Sequence, residues 1–308
     1  MSYELKSDET LGDSLKRIFR KQIENAEAIV RGDKVCDDTP VHDVRKHLKK
    51  ARAALRLVRK EIGRGLFRQQ DRCLRDAGRL ISDVRDAEVR LQTVRELQSI
   101  VRHPGRAAYR SVELALMMEL ESFIGAFADW QGQALPMLQK VRVATDHWAL
   151  DHFNARELRC AVQSSYKCAR SNLSHARNHP TVENFHEVRK QAKTLWYQLR
   201  IVRPVNQVVL KTVTDELKAM IDLLGRAHDL TFLGERISAD QGNGGWRREG
   251  DKLLAVIEVS QQDLQRGAAD LAERFFAERP RDFGARIMGW LEEWHDSPPG
   301  PVAVALAQ

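Results

Sequence analysis

A pattern of one histidine and four cations occurs twice in the sequence, at a constant spacing of 144 residues. The first copy lies in Val41–Lys60 and the second in Phe185–Arg203. The repeated positions are His42/His186, Arg45/Arg189, Lys46/Lys190, Lys49/Lys193 and Arg56/Arg200. On an α-helix, where each residue turns by about 100°, these side chains share one face. An internal repeat of this kind predicts a chain built from two related parts.

An apolar face recurs on the opposite side of both segments. Its members are Val44, Leu48, Ala51, Leu55 and Val58 in the first copy and Val188, Ala192, Leu195, Leu199 and Val202 in the second. Each segment is therefore predicted to be an amphipathic helix with its apolar side in a core. Thr39-Pro40 and Thr181 supply helix-start residues for the two helices. A cationic face is normally only solvated, but its repetition favours a ligand.

The charge imbalance of the chain is concentrated in the first of these helices. Eight Lys or Arg residues against Asp43 give Val41–Lys60 a net charge of +7, which equals the formal net charge of all 308 residues. Such an imbalance predicts an anionic partner. A flexible polyanion needs a row of cations, and the distance from His42 to Arg56 corresponds to about 21 Å of helix.

A further pair of segments supports the same division of the chain. Leu80–Arg90 aligns with Leu223–Leu233 at an offset of 143, which places Arg85-Asp86 beside His228-Asp229. The sequence predicts an all-α fold of two tandem, pseudo-symmetric helical bundles that face a shared basic channel. Residues 1–148 are predicted to form the first half and residues 149–296 the second. Residues 297–308, which begin with Ser-Pro-Pro-Gly-Pro, are predicted to be a disordered tail.

Apolar periodicity predicts several further helices. One covers Leu11–Val30, and a single long helix covers Gln69–Ile100. Another covers Ala107–Trp130, with Leu114, Met117, Met118 and Phe123 as its core residues. Gly132 and Pro136 predict a less regular segment after it.

The motifs resemble those of the CHAD family, the conserved-histidine α-helical domain. The matching stretches are VHDVRKHLKKAR at Val41–Arg52, RDAEV at Arg85–Val89, FHEVRKQAKTLWY at Phe185–Tyr197 and LGRAHDL at Leu224–Leu230. The resemblance extends from about Leu11 to the 290s. It implies a protein that binds inorganic polyphosphate along a basic channel between two pseudo-symmetric helical halves.

Two departures from the family pattern lie in the second half. His228 stands where the pattern has an arginine, and Thr194 and Trp196 stand where the first half has Lys50 and Arg52. We therefore expect the second half to bind anions less strongly than the first.

The residues predicted to contact polyphosphate lie on the polar faces of the two histidine-bearing helices. They are His42, Arg45, Lys46, Lys49, Arg52, Arg56, His186, Arg189, Lys190, Lys193, Tyr197 and Arg200. Arginine offers forked donors to phosphate oxygens, lysine a compact charge, and histidine one or two donors. A structural, hydrogen-bonded role stays open for both histidines and for Tyr197. The sequence predicts neither a cofactor nor a metal site.

Two other classes of function compete with this interpretation. A nucleic-acid-binding protein would also use basic helices, but no recognised reading motif is present and aromatic residues for base stacking are sparse. A metal phosphohydrolase would use the His-Asp dipeptides at His42 and His228. Adjacent side chains on a helix point about 100° apart, which suits one metal poorly. A binding protein is favoured over an enzyme, and nucleic acid is the less favoured partner.

The sequence also indicates a compartment. No apolar run approaches the ~20 residues that span a bilayer, and the polar N-terminus lacks the features of a signal peptide. The four cysteines show no zinc-type spacing and are interpreted as thiols in a reducing environment. We therefore expect a cytoplasmic protein without a membrane partner, and polyphosphate granules are a candidate location.

Overall fold

The computed structural model describes residues 3–101, 103–127, 129–239 and 247–296, and within these ranges all regular structure is helical. Eleven α-helices follow one another in the described part of the chain. They are α1 (Leu11–Arg31), α2 (Pro40–Leu57), α3 (Arg64–Arg79), α4 (Ser82–Ile100), α5 (Arg106–Ala126), α6 (Trp130–Ala144), α7 (Ala155–Asn178), α8 (Val182–Val202), α9 (Gln207–Ala239), α10 (Arg247–Phe275) and α11 (Pro280–Asp296). The predicted all-α class is confirmed.

Threonine caps set the start of the two histidine-bearing helices. The Thr39 hydroxyl accepts a hydrogen bond from the His42 N–H, and Pro40 occupies the first turn of α2. Thr181 caps α8 in the same way, with Asn184 as the donor. Both predicted apolar faces are buried. They comprise Val44, Leu48, Ala51 and Leu55 on α2 with Val58 directly after it, and Val188, Ala192, Leu195, Leu199 and Val202 on α8. The opposite faces are thereby turned away from the core.

Helix packing brings the two histidine-bearing helices together. α2 packs against α1 and α3, α8 packs against α7 and α9, and α2 and α8 also pack against each other. Near their C-terminal ends Gln198 Nε2 donates to the Ala53 carbonyl oxygen at 3.2 Å, and Arg56 Nη1 donates to the Thr194 hydroxyl at 3.2 Å. α4 packs against α9 beside them. One region of the surface is thus bounded by α2, α4, α8 and α9.

The buried core continues across the predicted boundary between the halves. The larger apolar cluster contains Phe19 of α1 and Leu55 of α2 together with Leu195 of α8 and Leu217 of α9. A smaller cluster joins α4 and α5 to α9 and α10. Burial of apolar area is the main favourable term in folding, so both parts of the chain depend on shared cores. The division at residue 148 and the pseudo-symmetry remain predictions from the sequence repeat.

Two predictions of where helices begin and end are wrong, one for the segment before α5 and one for the segment after it. The single helix predicted for Gln69–Ile100 is α3, which begins at Arg64, followed by α4, with a break at Leu80 and Ile81. α6 contains both Gly132 and Pro136, where an irregular segment was expected. Buried residues of α6, Ala134, Leu138 and Val141, pack in the core. This packing outweighs the unfavourable helix propensity of glycine and proline.

Helix α5 exposes three of the four residues that were predicted to face the core, while Phe123 is partly buried against the larger apolar cluster. Leu114 and Met118 are 58% and 65% exposed, and Met117 is exposed as well. The buried positions of α5 are Ala108, Tyr109, Val112 and Leu116. α5 packs against α4 and α10, and both sides of its sequence carry apolar residues, so periodicity alone cannot tell which side is inside.

No helix in the described ranges is long and apolar enough to span a membrane. The tail predicted for residues 297–308 lies outside the described residues.

Helix α1 approaches the linker before α7 closely at Gly12. A Cβ added there would lie 2.5 Å from the Leu150 carbonyl oxygen and 2.9 Å from the Leu150 Cβ. We expect Gly12→Ala to lower the free energy of unfolding by about 1–3 kcal/mol, because backbone atoms have little room to move. Urea denaturation measures this change. Gly289→Ala is the control, since nothing lies within 4 Å of its Cβ. Equal stability of Gly12→Ala and the wild type would contradict this close contact.

Candidate anion-binding site

Cationic side chains from three helices converge in the region bounded by α2, α4, α8 and α9. Lys49 is the centre of the set, and the other members are near enough for their charges to lower the pKa of its amine. We call this set the cation cluster: Arg45, Lys49, Arg85, Arg189 and Lys193. It combines four of the twelve predicted contact residues with Arg85, which the sequence had not placed in the site.

Lys49 is both reached by solvent and surrounded by protein. Its side chain is exposed. Even so, loss of bulk hydration within the surrounding protein lowers its pKa well below the usual lysine value, and repulsion from Lys193 and Arg45 lowers it further. A side chain on the wall of a concave surface can be in contact with solvent and still lose much of its hydration to the surrounding protein. In the described residues Lys49 makes no ion pair, so its charge has no direct compensation.

Lys193 contributes the matching amine from α8. Burial lowers its pKa to about 8, and the Arg189 charge adds to that effect, whereas Asp222 and Asp229 act in the opposite direction. Within the described ranges Lys193, like Lys49, has no ion-pair partner. An ordinary lysine has a pKa of about 10.4, so the protein holds this amine in a charged state that costs free energy.

Arg189 has unused hydrogen-bonding capacity beside the two lysines. Its guanidinium lies against Gly225 of α9, where an added Cβ would be 3.3 Å from both Nε and Nη2. Nε is buried and makes no hydrogen bond to any described residue. A buried donor without an acceptor is costly, and a guanidinium offers forked donors to phosphate oxygens. Arg189 is therefore positioned as an anion ligand.

Acidic residues compensate the cation cluster only in part. Burial raises the pKa of the Asp86 carboxyl, and the Arg45 charge acts against this. Burial also raises the pKa of Asp229, where Arg189 acts against it. Arg85 forms an ion pair with Glu88 at 3.1 Å. These acids lie beside the arginines, and the two lysines remain without a partner of opposite charge in the described part of the chain.

Arg56 and Arg200 extend the cationic surface towards the C-terminal ends of α2 and α8. Arg56 donates to Thr194, as described above, and the Arg200 guanidinium lies 4.8 Å from the centroid of the Trp196 ring. The same guanidinium lies 6.0 Å from the Tyr3 ring. The two residues that replace basic positions in the second half thus each contact an arginine of this surface.

Three predicted cations are instead neutralised by local carboxylates. The pairs are Lys46 with Asp37 and Asp43 at 3.0 and 3.3 Å, Arg52 with Asp71 at 2.8 Å, and Lys190 with Glu187 at 2.8 Å. The hydrogen bond that Lys46 donates to the Asp37 carboxylate raises the pKa of the Lys46 amine. An anion would have to compete with these carboxylates, so the three cations are weaker ligand candidates than Lys49 and Lys193.

Tyr197 is buried against the N-terminal segment rather than among the cations. Its ring makes an edge contact with Tyr3, with centroids 6.3 Å apart. Burial raises the pKa of Tyr197 to about 12. The alternative of a buried tyrosine therefore fits its surroundings better, and a phosphate contact by Tyr197 stays a prediction.

The two repeated histidines have different partners. His42 Nδ1 lies 3.3 Å from the Asp38 carboxylate, and burial, followed by the Arg85 charge, lowers its pKa. His186 Nδ1 lies 3.1 Å from Nε2 of His228 on α9. Burial lowers the pKa of His186, and that of His228 falls to about 3. Both repeated histidines are thus neutral near pH 7.

Three residues of this region are absent from the predicted set. Arg85 and His228 occupy matched positions at the 143-residue offset, so the repeat itself carried a signal for both. Tyr3 carried none. Its hydroxyl donates to the Lys50 carbonyl oxygen at 2.9 Å, and only the folded chain brings these positions together.

The His-Asp dipeptides lie on different helices, at His42 on α2 and His228 on α9. Across the described ranges, no group of three or more His, Cys, Asp or Glu side chains is placed to hold a metal ion.

Comparison with known proteins identifies a family and a fold. The model of the CHAD domain family matches residues 14–238. Among solved structures, the chain is similar to the CHAD domain from the plant Ricinus communis, with a TM-score of 0.62 and 17% sequence identity. That match covers 89% of this chain and 94% of the plant domain, and at this identity it supports the fold alone. None of the curated proteins searched matches the chain.

The lowered lysine pKa values predict how stability depends on pH. The unfolded chain binds protons to Lys49 and Lys193 more tightly than the folded protein does, so the free energy of unfolding should rise with pH above about 7.5. Thermal denaturation at pH 7.5 and 9.5, at constant ionic strength, measures this rise. Lys49→Gln/Lys193→Gln should show a smaller rise than the wild type. Identical pH dependence in both proteins would contradict the charge crowding described here.

Proposed function

The chain belongs to the CHAD family, and we propose that it binds inorganic polyphosphate through the cation cluster. The observation that carries the proposal is the pair of lysine amines, Lys49 on α2 and Lys193 on α8. Their charges repel each other, and surrounding protein lowers the pKa of both. A polyanion between the two helices would convert this repulsion into attraction.

The distribution of cations favours a polymer over a single phosphate. Arg56 lies seven residues after Lys49, which corresponds to about 10 Å along α2. One phosphate group would contact the cation cluster alone. A chain of phosphates would also reach Arg56 and Arg200. Because the polymer is flexible, these contacts would need no fixed spacing or orientation. This reasoning, with the family resemblance, supports polyphosphate as the ligand.

The proposed binding is non-catalytic. The residues of the cation cluster supply hydrogen-bond donors and positive charge, which is the chemistry of anion recognition. Arg189 would contribute forked donors, and the lysines would contribute charges that adapt to a flexible chain. Asp86 and Asp229 would orient the neighbouring arginines and leave the lysines available.

The proposal predicts which lysines matter for binding. Lys49→Gln/Lys193→Gln should weaken the affinity for long-chain polyphosphate by about 30-fold or more, because charged hydrogen bonds contribute roughly 1.5–3 kcal/mol each. Isothermal titration calorimetry at fixed ionic strength measures the affinity. The matched control is Lys211→Gln/Lys252→Gln, which removes two exposed lysines on α9 and α10. We expect the control to bind within about twofold of the wild type, since neither lysine belongs to the cation cluster and salt screens the long-range attraction of exposed charges.

An equal loss of affinity in the two double variants would refute a localised site. It would show that overall positive charge, and not the cation cluster, attracts the polymer. Competition then tests the ligand class. Single-stranded RNA and orthophosphate, each at the same phosphate concentration, should displace little polyphosphate. Efficient displacement by RNA would favour nucleic-acid binding instead.

A further inference from the structure

His186 on α8 and His228 on α9 form an imidazole pair beside the cation cluster. Their ring centroids lie 4.3 Å apart, and Nδ1 of His186 is 3.1 Å from Nε2 of His228. Phe232 packs edge-on against His228, with centroids 4.6 Å apart. In such a contact one ring nitrogen donates and the other accepts. The pair therefore shares one proton between these two nitrogens.

The surroundings of His228 oppose a second proton on the pair. Nδ1 of His228 is buried and makes no hydrogen bond with the described residues. A proton at this nitrogen would be a buried donor without an acceptor, which costs free energy. The pair is thus neutral in the free protein, with His228 Nε2–H donating to His186 Nδ1. Nε2 of His186 then carries the proton of that ring.

Cations dominate the charges that act on the pair. α8 contributes Arg189 and Lys190, with Glu187 as the opposing acid, and α2 contributes Lys49. Burial lowers the pKa of His186 most, and these cations lower it further. Asp229 on α9 and Arg85 on α4 belong to the same charged region. An anion at the cation cluster would cancel the repulsion that opposes a positive His186.

We propose that the His186–His228 pair takes up one proton when polyphosphate binds, so that affinity for the anion rises as the pH falls. This inference rests on the proposed function. The shared proton moves from His228 Nε2 to His186 Nδ1, which leaves His186 with N–H groups at both Nδ1 and Nε2. The proton from solvent binds at His228 Nδ1, and His228 Nε2 then accepts the hydrogen bond from His186 Nδ1–H. The cost of that buried N–H at His228 Nδ1 keeps the pair neutral until an anion offsets it. His186 Nε2–H donates to a phosphate oxygen.

The repeat shows what is particular about this pair. His228 occupies the position that Arg85 holds in the first half. Arg85 has a permanent charge, whereas a histidine responds to pH in the physiological range. The proposed coupling therefore makes binding by the second half depend on pH. Its sign follows from linkage: the bound state holds one more proton, so acidification favours binding.

Calorimetry can count the proton directly. Long-chain polyphosphate is titrated into the protein at pH 6.0, 7.0 and 8.0, in two buffers with different heats of ionisation. The wild type should take up more protons at pH 6.0 than His186→Gln does, and its affinity should rise severalfold more between pH 8.0 and 6.0. Protonation of the polymer itself is common to both proteins. Uptake by lysines near pH 8 should persist in the variant.

Two further variants make the result specific. His228→Gln keeps an amide near the position of Nε2 but removes the second imidazole, and it should also alter the proton uptake at pH 6.0. His152→Gln, at an exposed linker histidine, should match the wild type. Identical pH profiles in the wild type, His186→Gln and His228→Gln would overturn the inference while binding itself persists. Absence of binding at every pH would overturn the proposed function, and this inference with it.

Discussion

Repulsion between cations on two packed helices is the constraint on which the site depends. Lys49 and Lys193 lie near enough for the charge of each to matter, and neither has an ion-pair partner within the described residues. The helices that carry them are held together by their buried apolar faces, which belong to one continuous core. Apolar burial thus offsets an unfavourable electrostatic arrangement. An anion of sufficient charge would turn the same arrangement into a source of affinity.

The fold separates the cations of this surface into two groups. Lys46, Arg52 and Lys190 are bound by carboxylates, while the lysines of the cation cluster are not. The carboxylates come from different places: Asp37 from the loop before α2, Asp71 from α3, and Glu187 from α8 itself. Paired cations give local order, and unpaired cations retain their full attraction for a ligand. A surface with every cation paired would bind polyanions more weakly.

Much of this arrangement could be predicted from the sequence because it depends on local rules. The threonine caps, the apolar faces of α2 and α8, and the convergence of repeated cations follow from helix geometry and from the repeat. The pairing of Arg52 was not predictable, because Asp71 meets Arg52 only through the packing of α3 on α2. Lys46 with Asp43 and Lys190 with Glu187 are three residues apart on one helix, so these pairs follow from local helix geometry. The contact of Arg56 with Thr194 joins positions far apart in the chain. The buried side of α5 could not be predicted, because apolar residues lie on its outer side as well as on its inner side.

The central claim is that the protein holds lysine charges in a crowded state that a polyanion relieves. Nuclear magnetic resonance of labelled lysine side chains measures this state directly. Lys49→Arg and Lys193→Arg assign the two signals, which are then titrated with and without polyphosphate. The account predicts that free Lys193 titrates near pH 8 and Lys49 well below the usual lysine value, and that bound polyphosphate returns both to about 10.4 or above. Ordinary pKa values in the free protein, or values that polyphosphate leaves unchanged, would contradict it.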